Sequence, residues 1–171
     1  MQVLILIVLF ILGAIFGSFA CCQAWRWRYK IEKKKKLGKW SVCIHCGHRI
    51  KWYDNIPIIS WLVLRGKCRH CGKKIGIAEF LSELGLGVGF VAMGHAYLTT
   101  IVTFWDTLVM DPIAIWLRLA IFVITLAMLV VLTILSVYDA KWGELPVVLL
   151  RVALGFGVVI LESGVIISLH R

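Results

Sequence analysis

The chain has 171 residues, of which 61% are hydrophobic and 16% charged, where a soluble domain is nearer half apolar and a quarter charged. This composition excludes an ordinary soluble enzyme and leaves a membrane protein with no room for a second large soluble domain. The formal net charge of +10 is concentrated, because 15 of the 19 Lys and Arg lie between Arg26 and Lys74, opposed only by Glu32 and Asp54.

The first predicted element is an apolar span, Val3 to Trp25, ending at "RWRYK". It lacks the basic start and small-residue cleavage pattern of a signal peptide and reads as a retained anchor with the N-terminus outside. The basic loop that follows is therefore expected on the cytoplasmic side. The "KKKK" run at Lys33 to Lys36 beside a membrane segment reads as a topology and anionic-lipid signal, and no nucleic-acid partner is expected.

The loop carries Cys43, Cys46, Cys68 and Cys71 as two CxxC pairs separated by 21 residues. Two such pairs suit two knuckles closing one tetrahedral Zn(II) site, and "CGHRI" and "CGKKI" place Gly47 and Gly72 at matching positions. Disulfides are disfavoured in a reducing cytosol. His45, His48 and His70 are expected around the site rather than in it, since four thiolates complete a structural centre. The aromatic-rich stretch between the knuckles, with Trp52, Tyr53, Ile56, Ile58, Ile59 and Trp61, is compatible with packing over the knot, with a bilayer-interface position, or with a substrate-contact surface.

Three further spans are predicted: Phe80 to Trp105, Ile113 to Val137 and Val147 to Leu169. "GLGVG" at Gly85 to Gly89 follows no strand and reads as helix packing. The expected fold is thus an all-α polytopic membrane protein of about four transmembrane helices with a small cytoplasmic zinc-knuckle insertion between the first two. Its parts are residues 1–25, 26–78 and 79–171.

At this point the residues resemble the type IV prepilin peptidases, the GxGD family of leader peptidase and N-methyltransferase. The resemblance rests on "GSFACCQAWR", "CIHC", "CRHC", "DNIPIISWLVLRGKC", Glu83 of "IAEFLSE", and "DAKWGELP". It implies an aspartic endopeptidase of the bacterial inner or plasma membrane. Such an enzyme removes the basic leader of a prepilin or pseudopilin at the cytoplasmic face and methylates the new N-terminus with S-adenosylmethionine. The D-x5-[IL]-P stretch of that family corresponds to Asp139 with Leu145 and Pro146, which makes Asp139 the expected catalytic carboxylate; an ordinary helix-end Asp partnered by Lys141 is the competing reading. The family's second aspartate, in GxGD, has no counterpart in this sequence, whose aspartates are Asp54, Asp106, Asp111 and Asp139. A truncated peptidase is the leading expectation. The missing group would come from residues beyond Arg171, from a second chain, or from a homo-oligomer. The alternative is a non-catalytic membrane zinc module that binds prepilin or assembly partners. Cys21 stands where "GSFxN" relatives carry Asn, which is expected to weaken one polar contact.

Overall fold

The computed structural model describes residues 1–33, 40–103, 112–144, 147, 150–155 and 157–158. Helix α1 spans Gln2–Lys33, α2 spans Ile59–Val63, α3 spans Ile77–Thr103 and α4 spans Pro112–Trp142. A single 3-10 turn, Trp52–Asn55, precedes α2. Among the described residues three helices are long and apolar enough to cross a membrane, Gln2–Tyr29, Ile77–Thr100 and Ile115–Trp142. Only helices and closed barrels satisfy every backbone group in hydrocarbon, and these three continuous apolar runs take the first route. The predicted fourth span, Val147 to Leu169, falls mostly outside the described residues. Within it residues 150–155 are helical and Ala153 is buried against the bundle.

At 1.5 Å per residue α1 is about 48 Å long against a hydrocarbon core of about 30 Å. It continues past the apolar span, so that Arg26 and Arg28 ride on a helix rather than in a loop. Helix α4 likewise runs through Asp139 and Lys141 and ends at Gly143, whose positive φ of 64° allows its N–H to reach back to the Asp139 carbonyl at 2.7 Å.

The bundle is built on the close approach of α1 to α3. A Cβ at Gly13 would lie 2.5 Å from the Leu86 carbonyl oxygen, and one at Gly17 2.5 Å from that of Ser82. From the other side, Gly87 receives the Phe10 ring, as the helix-packing reading of "GLGVG" requires. Small residues let two backbones touch where the hydrophobic effect offers no drive between helices. Ala20, Cys21 and Ala24 of α1 then meet Ile134, Leu135, Val137 and Tyr138 of α4 in a buried hydrophobic cluster.

The Cys21 Sγ lies 3.1 Å from the Ser82 Oγ, whose hydroxyl donates to the Glu79 carbonyl at 2.8 Å and lies 3.3 Å from that of Gly17. Cys21 thus makes a polar contact between α1 and α3 in a buried seam.

Candidate metal centre and the cavity beside it

The two CxxC pairs fold as the same turn used twice. In the first, the Cys43 N–H donates to the His48 carbonyl at 2.9 Å and the Gly47 N–H to the Cys43 carbonyl at 2.8 Å. In the second, the Cys68 N–H donates to Lys73 and the Gly72 N–H to Cys68, each at 2.9 Å. Isolated bridges Val42 to Arg49 and Lys67 to Lys74 close the two turns in the same register. Gly47 and Gly72 have φ of 69° and 68°, the left-handed region that glycine enters without steric cost.

These turns bring the four thiols together. The Sγ atoms of Cys43, Cys46, Cys68 and Cys71 all lie within 4.8 Å of one another, and Cys43 to Cys71 measures 3.9 Å. Four sulfurs at about 2.3 Å from a tetrahedral ion stand about 3.8 Å apart, so the cluster can hold one metal ion with little rearrangement. The Cys68 thiol is lowered to about 7 because the Cys71 and His70 amides point at its sulfur. At Cys46 the His48 amide favours the thiolate, but desolvation and the neighbouring Cys43 and Cys71 thiols outweigh it and raise the group to about 11. Ligation needs thiolates, and amide-to-sulfur bonds are the local device that supplies them.

The histidines stand at the periphery. His48 and His70, one from each knuckle, stack at 4.2 Å with rings nearly parallel, and His45 is exposed. Asp54 holds the intervening segment to the second knuckle through a forked pair with Arg69, with Nη2 to Oδ1 at 2.7 Å and Nε to Oδ2 at 2.9 Å.

The module is fixed to the bundle by Glu83. This buried carboxylate, about two turns into α3, accepts the Ile58 N–H at 2.7 Å. Ile58 itself has φ 64° and ψ −55°, and the Ile59 N–H reaches the Pro57 carbonyl at 2.6 Å. That is a γ-turn of the rare, strained hand, on a β-branched residue that avoids positive φ. Glu83 holds the amide that this turn turns inward.

One turn earlier on α3, Glu79 pairs with Lys141 of α4 and accepts the Trp25 indole N–H at 3.4 Å. Lys141 sits 4.7 Å above the Trp25 ring, and Trp25 meets Trp142 edge-on at 5.0 Å. Between this cap and the knuckles lies a cavity of about 990 Å³ whose wall includes Cys21, Trp25, Glu79, Glu83, Trp61 and Lys141. Among the described residues Glu79 Oε2 and Trp61 Nε1 are buried without a hydrogen-bond partner.

Asp139 is placed differently. It is exposed on the last turns of α4 and is not among the residues that line the cavity. Lys141, the partner considered for it, binds Glu79 instead, and Glu144 binds Arg28 at 2.6 Å. Asp106 and Asp111 lie outside the described residues. The structure therefore assembles the four cysteines and leaves Asp139 apart from the enclosed polar groups. Glu83 enters the sequence analysis only within the "IAEFLSE" motif, and Glu79 has no role there. Two carboxylates a turn apart at the head of an apolar span are the signal that finds them, since such groups face protein or an aqueous cavity.

A polytopic helical chain with a four-cysteine knuckle insertion is the class that these features define. A family model described as the bacterial peptidase A24 N-terminal domain matches residues 11–97. The chain belongs to that family. It is similar to three proteins named prepilin leader peptidase/N-methyltransferase. That of Vibrio cholerae is 40% identical over 89 residues, covering 49% of this chain and 35% of the relative. That of Myxococcus xanthus is 40% identical over 86 residues, covering 50% and 25%. That of Pectobacterium carotovorum is 31% identical over 178 residues, covering 94% and 57%. The chain thus spans between a quarter and somewhat over half of these relatives. No solved structure matches it.

Proposed function

We propose that this chain is the N-terminal, module-bearing part of a prepilin leader peptidase. It would act with a further carboxylate to cleave the basic leader of a prepilin or pseudopilin at the cytoplasmic face of the bacterial inner membrane. The observation that carries this reading is the family match over the knuckles and the first helices, joined to a four-thiol cluster built at the head of the bundle.

In this reading Cys43, Cys46, Cys68 and Cys71 hold a structural Zn(II). The ion closes the two knuckles and supplies the folding energy that a small, poorly cored module lacks. Asp139 serves as one of two catalytic carboxyls. An aspartic peptidase needs one carboxylate to draw the proton from water and one neutral carboxyl to polarise the scissile carbonyl. This sequence holds no GxGD motif to supply the second, so the 171 residues alone are proposed to be inactive. S-adenosylmethionine enters through the family resemblance only. The described residues form no strand-and-glycine turn of the kind that cradles a nucleotide, and no contact or step is assigned to it.

The test is a cleavage assay on purified, zinc-loaded chain in detergent with a synthetic prepilin. No cleavage is expected alone, and cleavage that depends on Asp139 is expected when the C-terminal half of a relative is supplied. Cleavage by the lone chain that Asp139→Asn abolishes overturns its inactivity. Binding of prepilin with no cleavage under either condition favours the non-catalytic module instead.

A further inference from the structure

The segment between the knuckles carries an apolar face that the bundle does not cover. In α2 the side chains of Ile59, Leu62 and Val63 are 58%, 55% and 68% exposed. They fall at positions i, i+3 and i+4 and so share one face of the helix. The remaining residues point inward: the Ser60 hydroxyl donates to the Tyr53 carbonyl at 3.0 Å, and the Trp61 ring packs on Phe80 at 4.8 Å.

The level of this face is set by its partners on α3. Phe80 stands three residues and Glu83 six residues past Ile77, where the apolar span Ile77–Thr100 begins. At 1.5 Å per residue these are about 4.5 and 9 Å along the helix. A helical side chain leans back toward the N-terminus, so the Ile58 amide and the Trp61 ring lie level with the first turns of the span. Ile77 and Leu81, exposed apolar residues of those same turns, stand at that depth too. A bilayer that reaches Ile77 also reaches α2.

Its surroundings match that medium. The chain leaves α2 through exposed Arg65 and Lys67, placed to meet phosphates at the rim. Apolar residues on one face with basic residues alongside are the signature of a helix lying in the interface. The strained turn at Ile58 has a role here. With its N–H given to the buried Glu83 and the Ile59 N–H closed onto Pro57, two amides that open α2 are satisfied without water, as burial near hydrocarbon demands.

We propose that α2 and the turn before it form an interfacial wedge. Ile59, Leu62 and Val63 enter the acyl-chain boundary of the bilayer beside α3, so that the cysteine module is seated in the membrane surface rather than held clear of it. The proposal needs no step of the peptidase reaction and stands or falls separately from it.

The test uses the full chain reconstituted in vesicles of phosphatidylethanolamine and phosphatidylglycerol. A diazirine-bearing amino acid replaces Leu62, Val63 or, as a mid-span benchmark, Val88. After illumination and digestion, mass spectrometry reads phospholipid adducts on the labelled peptide. Positions 62 and 63 are expected to give lipid adducts within about three-fold of the Val88 yield, as an interface helix requires. Water-quenched products alone at both positions, with lipid adducts at Val88, overturn the proposal. Crosslinks at 62 and 63 to a second copy of the chain, or to prepilin added in the vesicles, in place of lipid overturn it in favour of a protein-docking face.

Discussion

The cysteine module and the α1–α3 pair reach order by opposite routes. The module has almost no buried apolar core, since Cys43 is its one buried hydrophobic residue among those described. Its order comes from two repeated turns, a forked Asp54–Arg69 pair and four convergent thiols. The helix pair has a few polar links, such as Cys21 to Ser82, and relies mainly on contact so close that Gly13 and Gly17 leave no space for a methyl group. One region is built around a four-thiol cluster that could hold an ion and the other around the absence of side chains. A perturbation aimed at one should leave the other standing, apart from the Glu83 bridge between them.

The largest effect is expected from Cys43→Ser or Cys68→Ser. Structural zinc contributes about 10–16 kcal/mol in small finger peptides, so metal content should fall from one equivalent to none and protease cutting should appear between residues 40 and 76. The helical circular dichroism should be retained. A wild-type chain purified under reducing conditions with no metal and four freely titrating thiols would refute the metal centre altogether.

Gly17→Leu should do the reverse. Forcing a side chain against the Ser82 carbonyl costs about 1–3 kcal/mol or more, which should lower the thermal midpoint in detergent while metal stoichiometry stays at wild type. Loss of metal in this variant would show that the two regions are not separable.

Glu83→Ala tests the bridge. It leaves the Ile58 N–H buried and unpaired, at a cost of about 1–3 kcal/mol. Both protease resistance of the module and thermal stability should fall, with Glu83→Gln restoring most of each because its amide oxygen still accepts. Equal damage from Gln and Ala would mean that the carboxylate acts through charge rather than through this hydrogen bond.

A smaller effect follows from the thiols. Cys46 holds its proton up to about 11, so metal uptake around neutrality must expel it and affinity should rise with pH. Below about 7 Cys68 is protonated as well, and the fall in affinity should steepen. Competition with a chromophoric chelator across pH 6 to 9 reads this directly. Smallest of all is Asp139→Asn: an exposed group off the cavity should change thermal stability by less than about 0.5 kcal/mol and leave metal content unchanged.

The sequence made some of this legible and hid the rest for physical reasons. Spacing alone placed Cys43, Cys46, Cys68 and Cys71 together, because the CxxC turn is local and repeats with its glycine. Long apolar runs gave the first three spans, although the helices run further than expected, α1 to Lys33 and α4 to Trp142. The partnership of Lys141 with Glu79 was not legible, since it joins residues 62 apart and depends on how α3 and α4 face each other. Nor was the γ-turn at Ile58, where a distant carboxylate overrides the local preference of a β-branched residue. The role given to Asp139 came from family resemblance, and the geometry adds only its position.

The doubled knuckle also bears on how the chain assembles. Docking α1 on α3 must close the long connecting segment that holds the module, and the entropy of closing a loop grows with its length, by about 0.6 kcal/mol per doubling. An ion tying Cys43 and Cys46 to Cys68 and Cys71 would short-circuit the middle of that segment and lower this closure cost. The same four sulfurs that order the module would then act as a splint during biogenesis, bringing the two glycine-lined helix faces within reach of each other.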